Sequence, residues 1–535
     1  MKKLIWASLD DYMPPESGQK LMGRGFANYS FFKALLKYGH FDEYHFFLID
    51  HSHKKSFEEI HGPYLEKIGA GSRIKLFYRT EMPKITSQHD YTVFHQTDHI
   101  SLFNSLCHFR NRHASFPVTS FIHSISYPGM MLNLQEMHFG GVTSSDAIIC
   151  SSKSGKDVLL NCFEQIRLMR DIPLPPIKME VIPFGFEGSV FDGIGREASR
   201  RHMGLPPDEI MALCFGRFSE YDKMDLFPLL QAFHKIYRKG RPWRLVLAGA
   251  AHQPEYVKMV EMWTKALGLE EAVTIKIDLP EDEKIALFKS ADFFVSPSDN
   301  LQETFGLTLI EALAAGLPLV VSSFSGYREI STPDVAIAVT TRWSDLDLFK
   351  AIEFGPLFHE GVLHRYIAQS VHVDIEQLSM SMLELFSNPG RCRKMGEAAR
   401  KRFNEHYDYR IIIERLEALW MKLKRQFERE SVKKRGVPLF PDYFQAFSHY
   451  FSEILGLKTD VRNTPFAEKL IELGQNYPLY TGMEQLIDRE NVRRIIAYTS
   501  EPKTIREIID QLGGDTRKTH YQAMWMLKHG LLELC

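Results

Sequence analysis

A chain of 535 residues exceeds what one hydrophobic core ordinarily supports, so two or three domains are expected. With 44% hydrophobic and 25% charged residues the composition is that of an ordinary globular protein, and a formal net charge of -2 gives the chain as a whole no attraction to nucleic acid or an anionic membrane. Cys107, Cys150, Cys162, Cys214, Cys392 and Cys535 are far apart and form neither a CxxC pair nor a dense framework, which reads as reduced thiols of a cytoplasmic protein.

The start, MKKLIWASLDDYMPP, has a basic end and a short apolar run. Asp10 and Asp11 cut that run below the length of a signal-peptide core, and LIWASL reads as a first strand. No later run approaches the roughly 18 to 20 apolar residues that span a bilayer. Short β-rich runs then alternate with segments of helical period: EYHFFLI, RIKLFY, YTVFHQT, VTSFIHS, DAIICSS and MEVIPFG, followed by IMALCFGR, WRLVLAG, AVTIKI, ADFFVSPS, LPLVVSS and VAIAV. This is the pattern of parallel βαβ units. FEGSVFDGIGREASRRHMGLPPDE interrupts it with no sustained period, which places a hinge near 186–208. The expectation is an α/β chain with two Rossmann-like domains, 1–190 and 205–395, facing a cleft beyond the carboxyl ends of their strands. After about 374 the pattern turns helical, and a helix over 396–425 is expected to cross back to the first domain.

Candidate site residues fall at strand ends. Gly23 and Gly25 in MGRGFAN would let a helix start approach a phosphate or acceptor closely, and an ordinary flexible turn fits them equally. FHQTDH offers His95, Asp98 and His99 without the spacing of a recognised ligand set, so no metal is expected. TSFIHSISYPG brings His123 to the cleft, although a lone histidine after an apolar strand is more often structural. FGRFSEYDKMD sets Arg217 directly after a strand and Lys223 six residues on, two cations suited to a diphosphate: arginine as a fork, lysine as a point charge. Alone, either would be an ordinary solvated loop residue.

ETFGLTLIEALAAGLPLVV follows the strand ADFFVSPS and reads as loop then helix, ended by Gly316 with Pro318 beyond. Glu303 lies in the loop and Glu311 more than a turn inside the helix, so the two reach different parts of one ligand. Between them the N–H groups around Phe305, Gly306 and Leu307, at the positive end of the helix dipole, suit a phosphate. A glutamate before a helix is also a favourable cap, and Glu311 alone fits a surface position.

GRFSEYDK together with ADFFVSPSDNLQETFGLTLIEALAAGLPLVVSSFSGYREI resembles the donor-binding half of retaining glycosyltransferases of family 4, which have the glycosyltransferase-B fold. EVIPFGFEGSVF looks like that family's inter-domain signature, and SDAIICSSKSGKDVL like the strand and helix before it. The resemblance implies a nucleotide-sugar donor and an unidentified acceptor (glycan, lipid-linked saccharide, protein or small molecule). Glu311 would hold the ribose hydroxyls, and Glu303 and His123 would lie near the transferred sugar. Arg217 and Lys223 would stabilise the departing diphosphate. Retention implies front-face attack, with the leaving phosphate oxygen taking the acceptor's proton and no metal required. Another enzyme on the same fold, such as a sugar-nucleotide epimerase or a phosphorylase, and a non-catalytic scaffold or regulator remain the alternatives.

Two features depart from the family. DLPEDE stands where many members have a glycine loop at the nucleotide base, and the segment 341–372 is longer than usual, with no evident role. The resemblance ends near 436. The remainder, 436–535, reads as a separate helical, winged-helix-like module, from TIREIIDQLGGDTRKTHYQAMWMLKHGLLEL. Its basic residues are diluted by acids, which disfavours nucleic acid and favours a protein partner or self-association. The basic run KLKRQFERESVKKRG allows at most peripheral membrane contact.

Overall fold

The computed structural model describes residues 2–15, 23–100, 102–127, 129–238, 241–251, 253–343, 357, 360–429, 442–472, 479–480 and 482–535. Each strand expected in the two halves is present. The first sheet contains β1 (Ile5–Ser8), β2 (Glu43–Leu48), β3 (Ile74–Tyr78), β4 (Val93–Gln96), β5 (Val118–Phe121), β6 (Ala147–Cys150) and β7 (Lys178–Val181), in the order β3-β2-β1-β4-β5-β6-β7. The second contains β8 (Ile210–Phe215), β9 (Trp243–Gly249), β10 (Val273–Ile277), β11 (Phe293–Ser296), β12 (Leu319–Ser322) and β13 (Ala336–Val339), in the order β10-β9-β8-β11-β12-β13. The pairings β1–β4 and β8–β11 are parallel.

The inner strands read as unbroken apolar runs because both their faces are covered. AIIC, FFVS and LVVS are buried at every position, as parallel sheets flanked by helices require. In each sheet the strand order reverses beside the first strand, between β1 and β4 and between β8 and β11. A crevice at the carboxyl ends of the strands follows from that reversal. The loops after β8 and β11 therefore meet, and these are the loops that carry Arg217, Lys223 and Glu303.

The chain crosses between the halves twice, and the crossings are hydrogen-bonded to each other. Phe186 N–H donates to the Tyr407 carbonyl at 2.9 Å and Tyr409 N–H to the Phe186 carbonyl at 3.2 Å. Gly185 permits this approach: a Cβ there would lie 2.5 Å from the Tyr409 ring. The crossing helix expected over 396–425 is two helices, Pro389–His406 and Tyr409–Phe427. The first lies on the helix after β11 in the second half, its Gly396 facing the Gly316 carbonyl. The second returns to the first half, where Trp420 sits 6.4 Å from Trp6 and donates its indole N–H to Thr119 Oγ1 at 3.0 Å.

By compactness the chain divides into two units. One is Met1–His45, Tyr64–Lys75 and Thr86–Val437; the other is Phe46–Pro63, Leu76–Ile85 and Pro438–Cys535. Within the second, strands Asp460–Asn463, Lys503–Thr504 and Leu532–Leu534 form an antiparallel sheet with the first of them central. Helices Ile505–Leu512 and Thr516–Lys528 are joined through Gly513 and Gly514 and precede the last strand. Val461, Ile495, Ile508, Trp525, Met526 and Leu532 lie in its core. The basic run before this unit lies outside the described residues from 430 to 436. Among the described residues no helix is long and apolar enough to cross a membrane, and all six cysteines are free.

Candidate active site

The motif helix is Leu307–Ala315, shorter at its start than the quoted stretch. Gly306 precedes it with φ +109°, a conformation other residues avoid, and a Cβ there would stand 2.7 Å from the Tyr327 ring. The glycine thus turns the chain into the helix and admits Tyr327 beneath the loop. Tyr327, on the short helix Tyr327–Ile330, bonds Ser296 through its hydroxyl at 2.9 Å and lies 3.5 Å from Glu303 Oε2. Burial pushes this phenol up to about 12, so it stays protonated.

Glu303 is the centre of a cluster in the second half. Its Oε2 accepts from Lys223 Nζ at 2.6 Å, between side chains only 13% and 11% exposed, and its Oε1 accepts from the Phe305 N–H at 3.3 Å. Burial works against the Lys223 ammonium, but the Glu303 carboxylate and the Tyr327 hydroxyl raise its pKa, and it stays charged. Arg217 turns toward its own loop, donating Nη1 to Asp222 Oδ2 at 3.0 Å and Nη2 to the Asp222 carbonyl at 3.1 Å. A lysine has three N–H donors and an arginine five, so both keep donors for oxygens beyond these partners.

Glu311, the fifth residue of the helix, is buried and accepts from Lys284 Nζ at 2.8 Å. Burial lifts the Glu311 carboxyl above the ordinary range while Lys284 pulls it back. Lys284 belongs to the helix Glu281–Ser290, begun by the DLPEDE stretch. There Asp278 takes the left-handed conformation, φ +52°, that a glycine would adopt without strain. Sequence reasoning missed Lys284 and Tyr327: neither has a motif of its own, and both are defined by partners tens of residues away.

From the first half, the Lys284 ammonium lies 4.7 Å from the Phe26 ring, which brings the MGRGFAN segment to the Glu311 side of the cleft. Gly23 and Gly25 lie in the first turn of the helix Gly23–Tyr38, and among the described residues nothing approaches within 4 Å of a Cβ at Gly23. Between them Arg24 pairs with Asp98 at 3.3 Å. His123 stacks on Phe184 with centroids 5.3 Å apart, and Phe184 meets Phe305 edge-on at 5.8 Å, so a line of rings joins inter-domain segment and motif. Nε2 of His123 is 2.9 Å from the Thr97 carbonyl, which can only accept; Nε2 therefore carries the proton and Nδ1 the lone pair. Burial lowers this histidine to about 4, and it is neutral at physiological pH.

His95 is packed away from the cleft, among Trp6, Phe121 and Trp420, with Nδ1 2.9 Å from Thr119 Oγ1, and His99 is fully buried. Both rings are neutral, held down by burial to about 3 and about 4.

The motif loop is tied to the first half. Thr304 Oγ1 donates to the His123 carbonyl at 3.0 Å, and Ser152 Oγ donates to the Thr304 carbonyl at 2.7 Å. The over-long segment also contributes. Residues 344–356 and 358–359 lie outside the described residues, but helix Glu360–Ala368 lies across three site loops. His364 is buried and bonds both Gln302, at 2.6 Å, and the Ser126 carbonyl, at 3.2 Å. Next to it Arg365 pairs with Glu220 at 2.8 Å, and Gln369 donates to Asp225 at 3.2 Å.

The fold, and part of the sequence, find counterparts among known proteins. Residues 195–353 match the family model described as Glycosyl transferases group 1. The D-inositol 3-phosphate glycosyltransferase of Xylanimonas cellulosilytica is 28% identical over 200 residues, 36% of this chain and 44% of that protein. An uncharacterized glycosyltransferase of Methanocaldococcus jannaschii is 31% identical over 206 residues, 38% of this chain and 48% of that protein. The chain thus matches less than half the length of these curated relatives. Among solved structures, sucrose-phosphate synthase from Thermosynechococcus elongatus has a TM-score of 0.52 at 16% identity, covering 79% of this chain and 100% of that one. Anabaena HepE in complex with UDP also has a TM-score of 0.52, at 14% identity, covering 78% and 98%. The fold shared with them is the glycosyltransferase-B fold.

Proposed function

We propose that this chain is a retaining glycosyltransferase of family 4 that moves a sugar from a nucleotide-sugar donor to an acceptor in the cytoplasm. The observation that carries the reading is the half-buried Lys223–Glu303 pair at the β8/β11 reversal, its glutamate on the loop that leads into the helix holding a buried carboxylate, Glu311. A diphosphate brought to the start of the motif helix meets the helix dipole, the remaining N–H donors of Lys223 and those of Arg217. These fixed charges oppose the negative charge that grows on the leaving phosphate as the glycosidic bond breaks, and so lower the barrier. The leaving phosphate oxygen takes the acceptor's proton on the same face of the sugar, and the protein supplies charge rather than a metal ion.

Glu311 is the ribose-binding carboxylate in this reading, exchanging one of its bonds to Lys284 for hydroxyl donors. Glu303 orients the sugar while holding Lys223. Neutral His123 offers Nδ1 as an acceptor to a sugar hydroxyl. Phe305, Gly306 and Leu307 supply backbone toward the phosphates, and Gly23 and Gly25 leave room on the first-domain side. Helix Glu360–Ala368 walls the acceptor side, and the unit containing 438–535 serves a protein partner or self-association through a winged-helix-like module.

The test is nucleotide release from UDP, GDP, ADP, TDP and CMP sugars in buffer containing chelator, using the full chain and its Glu303→Ala and Arg217→Ala variants. Slow hydrolysis of one donor, lost in both variants, is the expected result. Release that both variants retain overturns the assignment.

A further inference from the structure

A second cluster of chemistry-bearing side chains lies at the opposite end of the first sheet from the cleft. Among the described residues, Glu43, His45 and His89 form a group whose potential ligand atoms all lie within 4.8 Å of one another. Glu43 and His45 are two apart at the start of β2, so both side chains leave the same face of the strand. His89 stands just before β4, in the connection that leads to Tyr91. We propose that Glu43, His45 and His89 bind a divalent metal ion of the zinc class at the amino ends of β2 and β4.

The donor set fits that ion. Two imidazoles and one carboxylate are borderline ligands that suit zinc, with water in the fourth tetrahedral position. His45 Nε2 is 3.0 Å from Glu43 Oε2, close to the roughly 3.3 Å edge of a tetrahedron built on zinc–nitrogen bonds of about 2.0–2.1 Å. The imidazoles of His45 and His89 meet edge to face with centroids 5.0 Å apart, so the second ring needs only a side-chain rotation to bring a nitrogen inward.

An outer partner is also in place. Nδ1 of His45 is 2.9 Å from the Tyr91 hydroxyl. Without an ion the Glu43 carboxylate can only accept, so Nε2 carries the proton and Nδ1 accepts from Tyr91; with an ion bound the proton would sit on Nδ1, directed to the same oxygen, and Nε2 would present its lone pair, the arrangement that orients metal-binding histidines. His45 is fully buried, so a ligand nitrogen there is held in place by its surroundings.

The fourth participant explains what balances the carboxylate without an ion. Lys3 Nζ bonds Glu43 Oε1 at 2.6 Å from a side chain 66% exposed. An exposed ammonium of this kind is weakly held and free to swing into water when a dication arrives. Lys3 therefore competes with the metal and sets its affinity.

The experiment uses the chelator-stripped full chain, titrated with Zn2+ by calorimetry and with Co2+ by visible absorption, alongside melting curves. The expected result is one ion per chain, a tetrahedral cobalt spectrum and a raised melting temperature. His89→Ala should abolish the binding while leaving the metal-free melting temperature unchanged, because His89 is only partly buried. Tyr91→Phe should weaken binding by about 10-fold or more, the usual effect of losing an outer partner, and Lys3→Ala should tighten it. Absence of a tetrahedral cobalt spectrum, or binding that survives His89→Ala, overturns the proposal.

Discussion

The two halves of the cleft hold charge differently: the first half has the half-exposed Arg24, paired with Asp98, beside a neutral histidine. In the second half charged residues are locked in pairs: Lys223 with Glu303, Arg217 with Asp222, and Lys284 with Glu311. On the first-domain side His123 is neutral, held by a carbonyl and a ring. The difference teaches where specificity for charge resides. Under the proposed reading, the second half carries pre-oriented charge for an anionic leaving group, and the first half shapes a neutral sugar and its acceptor.

The largest way to break this contrast is Lys223→Ala. It removes a cation from the leaving group and strands Glu303 in a nearly buried place, so nucleotide release should fall by about 10²–10³-fold, the range seen when one preorganised stabilising donor is lost. An initial-rate assay at saturating donor reads this directly.

Glu311→Ala comes next. Charged hydrogen bonds to two ribose hydroxyls predict a loss of about 1.5–3 kcal/mol in donor affinity, measured by titration. Because this change also leaves the half-buried Lys284, among the described residues, with only Glu281, at 3.4 Å, Glu311→Gln is the sharper comparison and should lose affinity in the same direction by less.

His364→Ala should be smaller and should fall on the acceptor side. It breaks the link between Gln302 and the Ser126 carbonyl, so nucleoside diphosphate affinity should be unchanged while hydrolysis of bound donor by water rises. Both quantities come from the same release assay and titration.

The smallest expected effect is on the pH dependence of activity. His123 is lowered to about 4, so no step is expected near pH 6.5 in the rate profile. The same shift does act on stability. Between pH 6.5 and 4 the unfolded chain binds a proton on this histidine that the folded chain refuses. Stability therefore falls as pH falls through that window and levels below it. Melting temperatures measured from pH 7 to 4 check the sign.

Much of this contrast was legible in the sequence, and the reasons are physical. Parallel strands buried on both faces must be continuous apolar runs, so AIIC, FFVS and LVVS announced themselves, and their alternation with helices gave the two sheets. Glu303, Arg217 and Lys223 were legible because a strand's carboxyl end is a position that local pattern reveals. Lys284, Tyr327 and His364 were not, since what gives each a role is a partner on another element: Glu311 at 27 residues, Ser296 at 31 and Gln302 at 62. The break between helices Pro389–His406 and Tyr409–Phe427 was also hidden. It depends on the pairing of residues 407–409 with Phe186, a contact no local period encodes.

The most direct test of the account is calorimetric titration of the chelator-treated chain with UDP, GDP and ADP, repeated on Lys223→Ala and Glu311→Gln. The account predicts that one of the three binds with one site per chain, and that both substitutions weaken it. Binding of none of them, or binding that neither substitution alters, would contradict the claim that these residues form a nucleotide-sugar site.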